Sequence, residues 1–393
     1  MIFFKALTLK ILLYTDLRIA KEDLFWHRDL GLLTKAFRDL GHEAWLVVHP
    51  ASESTSKIKN QKSKIPKEPV IWASPSDVRS PSWWQSHKPD LVILGLWTRP
   101  KYDPIRRAAL SATPHVIERA DSDGMRAASC GLKIYARRRY DYFRDRIFLL
   151  PAFLGIAGAA LYSFLCILLT PWIESRLAKT LQLLPAVAVE TPRAAHLWKA
   201  LAKRLGGDPG RIYCIPHPIQ TRIFKSQRSI PKNKWVISVG RWESYQKNLP
   251  LLLRALKAFL DKQPGWSAQV VGSGLPARSP HPRIRFLPPL SPKVLARKMQ
   301  ASAIFLSTSR YESFGLAEVE AEICRCRVVR FDSFASKMPP FQLQAAQLAA
   351  QMMKMAKAGH PSSSQPRERQ CSPEAVARRF WDILRTKKSI PAF

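Results

Sequence analysis

Two glutamates, Glu312 and Glu320, stand eight positions apart in RYESFGLAEVEAE, with Phe314 and Gly315 between them. The apolar run AIFLSTS precedes them, so a strand is expected to hand over to a helix through a tight Phe314-Gly315 turn. Backbone N–H groups at a helix start, with the helix dipole behind them, favour a phosphate. Gly315 lets the backbone come close to such a ligand. Carboxylates repel phosphate, so both glutamates make sense as acceptors of hydrogen bonds from hydroxyl groups, those of a sugar or a ribose. The cationic counterpart lies upstream in SVGRWESYQKN, where Gly240-Arg241 closes a strand and Lys247 follows six positions later. A guanidinium and an ammonium there can clamp a diphosphate, where charge develops on a leaving group. VVGSG, with Gly272 and Ser273, adds a small-residue loop at the next strand end. Each signal alone is commonplace, and a solvated helix face explains any one of them. Their order at the carboxyl ends of strands, where open α/β sheets bind ligands, is far more specific.

The elements that must position these groups follow from hydrophobic patterning. LKILLYTD is a short apolar run of the kind a buried parallel strand needs, and Leu30, Leu33, Phe37 and Leu40 keep helical spacing up to a stop at Gly41. AWLVV, KPDLVILGLW and HVIERADSDG read as strands, with DPIRRAALSA a helix between the last two. From about residue 232 the alternation restarts. KWVISVG, WSAQVVGSG, RIRFLPP, AIFLSTS and RVVRF read as strands; NLPLLLRALKAFLDKQ, KVLARKMQAS and the glutamate segment read as helices. This predicts two doubly wound α/β halves with a boundary near 219–232. Residues 358–373 read as a linker into a last amphipathic helix, EAVARRFWDIL, and WASPSDVRSPSWW as a loop or packing anchor.

The chain has 393 residues, room for two ordinary domains, and an apolar fraction of 46%, which excludes a disordered class. Lys and Arg number 63 against 29 Asp and Glu, leaving +34. That surplus implies an anionic partner: nucleic acid, an acidic membrane surface or a phosphorylated small molecule. No helix-turn-helix, zinc finger or RNA-recognition signature accompanies it, so no specific nucleic acid is expected. Six scattered cysteines form neither a CxxC pair nor a disulfide framework, which fits a reducing cytosol. The N-terminus MIFFKALTLKILLYTD lacks the pattern of a signal peptide.

One segment breaks the α/β rhythm. Residues 147–173 carry no charged side chain and follow the basic cluster KIYARRRYDYFRDR. Roughly 20 apolar residues suffice to cross a bilayer. A single crossing would, however, put the two halves on opposite sides of the membrane. The segment is expected to be an in-plane or re-entrant insertion, or a buried helical pair, with Pro151, Gly155 and Gly158 permitting a bend. The basic cluster would meet anionic headgroups on the cytoplasmic face.

The segment 230–330 resembles the donor-binding half of a family 4 glycosyltransferase with the GT-B fold. That family carries a glutamate, seven residues and a second glutamate, here Glu312 and Glu320, and an arginine and lysine after the first strand of the half, here Arg241 and Lys247. IPHPIQTRIF is similar to its interdomain segment, with His217-Pro218 where Asn-Gly is usual, and AVAVETPRAAHLW resembles its last N-terminal strand and helix. The resemblance implies two Rossmann-like domains facing a central cleft. Expected are an acceptor-side domain over 1–220 bearing the 147–173 insert, a donor domain over 232–357, and a linker with a C-terminal helix over 358–393.

It also implies retaining transfer from a nucleotide-sugar to a hydroxyl acceptor, lipid-linked or glycan, with no cofactor and no metal. By resemblance, Arg241 and Lys247 hold the diphosphate and Glu320 takes the ribose hydroxyls. Glu312 touches the donor sugar, and the stretch Ser313, Phe314, Gly315 and Leu316 approaches sugar and phosphate. Gly240, Gly272 and Ser273 complete the donor site. On the acceptor side, outside any family motif, His27, Asp121 and Asp123 are candidates, and the basic cluster and apolar insert together with the resemblance lead to an expected placement peripheral or monotopic on the inner face of the cell membrane.

The chain departs from the family in places. DLRIAKEDLFWH has no glycine where a Gly-Gly loop is common, and Arg119, Asp121 and Asp123 stand where a histidine is usual. Cys324-Arg325-Cys326-Arg327 replaces Cys-Gly-x-Pro. The alternative is a degenerate, non-catalytic GT-B module acting as a membrane scaffold. Asp121-Ser122-Asp123 also matches the Asp-x-Asp pattern of metal-dependent GT-A transferases, but it lies in the wrong half to explain Arg241 through Glu320.

Overall fold

Short apolar runs bounded by turn residues can be buried on both faces only in a parallel sheet whose crossovers are helices. That is what these runs form. The computed structural model describes residues 8–19, 26, 28–50, 69–120, 122–125, 131–147, 151–331, 341–358 and 365–386. Among them the strands are β1 (Lys10–Ile19), β2 (Glu43–Pro50), β3 (Val70–Trp72), β4 (Leu91–Gly95), β5 (Val116–Arg119), β6 (Ala186–Val189), β7 (Ile212–Cys214), β8 (Asn233–Arg241), β9 (Ser267–Ser273), β10 (Ile284–Leu287), β11 (Ser302–Ser307) and β12 (Arg327–Arg330). The helices begin with α1 (Asp29–Asp39), α2 (Pro81–His87), α3 (Asp103–Leu110), α4 (Leu132–Arg146), α5 (Ala152–Leu168), α6 (Thr170–Leu183) and α7 (Pro192–Arg204). They continue with α8 (Leu249–Lys262), α9 (Pro292–Ala301), α10 (Leu316–Ile323), α11 (Phe341–Lys357), α12 (Gln365–Cys371) and α13 (Pro373–Thr386).

Two all-parallel sheets result, ordered β3-β2-β1-β4-β5-β6-β7 and β10-β9-β8-β11-β12. Each reverses its strand order once, between β1 and β4 and between β8 and β11. In the second unit, α8 lays Leu252, Leu256 and Phe259 against Val236, Val270 and Ile304 of the sheet, and Leu348 and Met352 of α11 join that core. In the first, α1 and α13 share one core with β1, β2 and β4, through Leu33, Phe37, Phe380 and Leu384.

The units do not follow the expected boundaries. Unit 1 comprises residues 1–129, 171–220 and 371–393, and unit 2 comprises 130–170 and 221–370. So α4 and α5, expected in the acceptor-side half, belong to unit 2, and α13 belongs to unit 1 rather than to a separate tail. The physical reason for α13 is its apolar stripe: Val376, Ala377, Phe380, Ile383 and Leu384 are buried against α1 and the sheet. Part of the expected linker is helical, as α12; residues 359–364 lie outside the described residues. The tryptophan-rich stretch is partly helix: Pro81 starts α2, and Trp84 is fully buried with its indole N–H on the Val78 carbonyl at 2.9 Å. Of the three residues expected to permit a bend, Pro151 is the N-cap of α5, Gly155 and Gly158 lie inside that helix, and the break after it falls at Leu169. No single helix among the described residues is long and apolar enough to cross a membrane. Only α5 and α6 together pass on length and composition, as a bent pair.

Candidate functional site

The loops that leave β8 and β11 flank the strand-order reversal of the second sheet, the place at which open α/β sheets bind ligands. The β8 loop turns through a short 3-10 segment, Tyr245–Lys247, capped by the Ser244 hydroxyl. The β11 loop runs through Arg310, Tyr311 and Glu312 to the N-terminus of α10. Four polar contacts stitch the two loops together. Arg310 N–H donates to the Gln246 carbonyl at 2.8 Å, and the Gln246 side chain donates to the Tyr311 carbonyl at 2.7 Å. Thr308 Oγ1 donates to the Lys247 carbonyl at 2.9 Å, and Arg310 Nη2 to Asn248 Oδ1 at 3.0 Å.

This stitching brings Lys247 and Glu312 together as an ion pair. Both side chains are about a quarter exposed or less. The Lys247 stem lies over Gly240, where an added Cβ would come within 3.3 Å of Cγ. Arg241, at the exposed end of β8, has no polar partner for its guanidinium among the described residues. Gly272 adopts φ +141°, and a Cβ there would lie 1.7 Å from the Gly240 carbonyl oxygen, so only glycine lets β8 and β9 stay in register at this end. Ser273 is already engaged, donating to both carboxylate oxygens of Glu243 at 3.1 Å.

Gly315, in the left-handed region at φ +75°, is the N-cap of α10, with Leu316 as the first helical residue. Phe314 is buried, and Ser313 and Glu320 are half-buried. The glutamate of the first turn is Glu318, which sequence reasoning passed over. Burial pushes its carboxyl up, opposed by Arg330 at 3.3 Å and a hydrogen bond from Ser307. The departure at Cys324-Arg325 leaves the local backbone intact. Arg325 takes φ +63°, while its N–H donates to Glu322 O and that of Cys326 to Ala321 O, a helix ending usually built on glycine.

On the expected acceptor side, His27 and Asp121 lie outside the described residues. Asp123 belongs to the other unit, where its carboxylate accepts the Met125 N–H at 3.0 Å. Among the described residues no group of three or more His, Cys, Asp or Glu side chains is placed to hold a metal.

Sequence reasoning also missed α4. Its Asp145 accepts from Ser244 Oγ at 2.6 Å, from Gln246 N–H at 3.1 Å and from Tyr311 Oη at 2.9 Å. The available signal was a pair of acids four apart, Asp141 and Asp145, on an otherwise cationic helix.

Residues 233–340 match the family model of glycosyl transferases group 1. Sequences covering 33% of this chain are 28% identical to the D-inositol 3-phosphate glycosyltransferase of Acidothermus cellulolyticus and 30% identical to that of Rhodococcus opacus. The matched region spans about a third of those relatives, 35% and 34% of their lengths. The sucrose-phosphate synthase of Thermosynechococcus elongatus superposes with a TM-score of 0.61 at 15% identity, over 96% of this chain and 99% of its own. Anabaena HepE in complex with UDP and glucose superposes at 0.57 and 15% identity, over 97% of this chain and all of its own. The fold is therefore the GT-B fold of these glycosyltransferases.

Proposed function

We propose that the chain is a retaining glycosyltransferase that moves a sugar from a nucleotide-sugar to a hydroxyl acceptor. The observation that carries this reading is the Lys247–Glu312 ion pair at the β8/β11 reversal, with the exposed Arg241 at the end of β8, inside the segment matching glycosyl transferases group 1. An ammonium already neutralised by a neighbouring carboxylate is a poised ligand group. On donor binding, Lys247 turns to the diphosphate, and Glu312 is released to accept from the sugar hydroxyls. Arg241 supplies the second positive charge on the diphosphate, and Glu320 accepts from the ribose.

In the transfer itself, the bond from the sugar C1 to the diphosphate oxygen breaks and its electron pair stays on the phosphate. That charge is what Arg241 and Lys247 stabilise. The acceptor oxygen bonds to C1 on the face the phosphate leaves, and its proton passes to a phosphate oxygen. No side-chain nucleophile and no bound metal are needed in this scheme. UDP in the HepE structure makes a uridine nucleotide the first donor to try.

The acceptor we propose is a lipid-linked or glycan hydroxyl at the cytoplasmic membrane face, with the protein held there peripherally. Support comes from α5, where Phe153 is 71% exposed and Leu161, Phe164 and Leu168 exceed half exposure, an apolar face attached to the cationic α4. Melting the protein against UDP, GDP, ADP and their sugars tests the donor reading. A ligand at 100 times its Kd adds about 2.7 kcal/mol of apparent stability. One nucleotide should stabilise selectively, and Arg241→Ala should abolish the shift; indifference to every nucleotide would overturn the reading.

A further inference from the structure

Helix α4 docks against the two donor loops with one face, through polar contacts that run from Arg138 to Asp145. Arg138 donates to the Arg310 carbonyl at 3.0 Å and lies 4.9 Å over the Tyr311 ring. One turn on, Asp141 accepts from Tyr245 Oη at 3.4 Å. At the end of the same face, Asp145 reaches both loops at once. Its Oδ1 accepts from Ser244 and Gln246 on the β8 loop, and its Oδ2 from Tyr311 on the β11 loop. Gln246 precedes Lys247 and Tyr311 precedes Glu312, so a single carboxylate holds the neighbours of both members of the ion pair. Burial and the adjacent Asp145 keep the Tyr311 phenol protonated, and therefore a donor, well above neutral pH.

We propose that Asp145 is a positioning residue of the donor site: its carboxylate clasps the two loops so that Lys247 and Glu312 are held side by side, within reach of one sugar diphosphate. The inference rests on the donor-site reading above. Asp145 touches neither the ion pair nor the diphosphate; it acts by removing loop freedom that donor binding would otherwise have to remove. When Lys247 leaves Glu312 for the diphosphate, the loops lose their direct ionic tie, and Asp145 remains to fix their spacing.

The test is nucleotide binding by calorimetry to the full-length chain, first with UDP, GDP and ADP, then with the tightest of these for the variants. Asp145→Ala should weaken binding about tenfold, equivalent to about 1.4 kcal/mol. Asp145→Asn, which keeps one acceptor oxygen, should recover part of the loss. Tyr311→Phe removes one hydroxyl and should weaken binding about threefold. Adding it to Asp145→Ala should cost nothing more, because the bond it deletes is already gone. A merely structural role would lower the melting temperature and leave the Kd of the folded fraction at the wild-type value, and that result overturns the proposal. If Asp145→Ala does not fold, Tyr311→Phe and Ser244→Ala decide by the same criterion. Arg241→Ala run in parallel separates the two readings. Binding lost there but unchanged in the clasp variants refutes the clasp alone, whereas no nucleotide binding in the wild type refutes both.

Discussion

The two sheets reverse their strand order in the same way, yet the charges at the two reversals are arranged oppositely. In unit 1 they turn inward. Arg106, fully buried, pairs with Glu118 through Nε and Nη2, and also with Asp103 at 2.7 Å. Arg119 lies 3.3 Å from Asp29, which His217 approaches at the same distance, and His217 is 3.7 Å from the buried Glu190. In unit 2, Lys247 and Glu312 form a pair about a quarter exposed, and Arg241 at the end of β8 is exposed, with no polar partner for its guanidinium among the described residues. The same topology thus yields a buried, mutually paired ionic cluster in one unit, in which Asp29 Oδ1 and Arg119 Nε and Nη1 still lack a hydrogen bond among the described residues, and a more open set of charges in the other. Fold alone does not distinguish them; the disposition of the charges does.

The sharpest way to break this contrast is Glu118→Ala. It leaves the Arg106 guanidinium buried with its main partner gone, a loss of about 3–5 kcal/mol for breaking a buried pair. Urea unfolding should show that loss, and the protein that remains folded should bind nucleotide normally. Unchanged stability with lost binding would mean that the unit 1 cluster is functional rather than structural. Arg241→Ala is the converse. Its side chain is exposed and holds nothing in place, so the melting temperature should stay within a degree or two. Nucleotide affinity should fall about 100-fold, or about 2.7 kcal/mol, by loss of one charge-assisted contact to the diphosphate. A large drop in stability instead would place Arg241 in the architecture.

The contrast also predicts a pH dependence that originates at the unit 1 cluster. Burial pushes the Asp29 carboxyl up, but His217, through its charge and hydrogen bond, with Arg119 and Arg28, more than offsets this and holds the group down at about 2. A carboxylate depressed below its unfolded value of about 4 stabilises the fold above that pH and loses the contribution as pH falls toward 2. Allowing for solvent at this partly open site, Asp29→Asn should remove about 1–2 kcal/mol at pH 6. The wild-type and variant curves should converge near pH 2. Curves that stay parallel across that window would show that Asp29 is not the titrating group.

How much of this was legible beforehand differs between the same two units. In unit 2 every strand was announced by an apolar run closed by Gly, Pro or a polar residue, and the ligand groups follow directly at strand ends, within a few residues of the signal. Gly240, Arg241, Lys247, Glu312 and Gly315 could therefore be picked from local spacing. Unit 1 depends on pairings of distant residues. β3 and β7 are three residues long, too short for any period to register, and the Arg106–Glu118 and Asp29–His217 contacts have no local pattern. Helix α4 was misassigned for the same reason. Its charge and its apolar neighbour α5 suggested a surface element of the first half, while Asp145 bonds to residues 99 to 166 positions away. Tertiary contacts of that range override what a window of a dozen residues displays.

The smallest effect tests whether the departures at the end of α10 matter to the site. Arg325 holds a left-handed backbone at φ +63°, closing the helix with the pair of bonds that glycine usually makes there. A side chain in that region costs about 1 kcal/mol, while glycine adds roughly half of that back through the freedom of the unfolded chain. Arg325→Gly should therefore stabilise the protein by about 0.5 kcal/mol in urea unfolding and leave nucleotide affinity unchanged, since the turn is already the one glycine would make. A gain in affinity would mean that Arg325 distorts the α10 N-terminus across the length of the helix, and that the unit 2 reversal is less open to ligand than its exposed Arg241 implies.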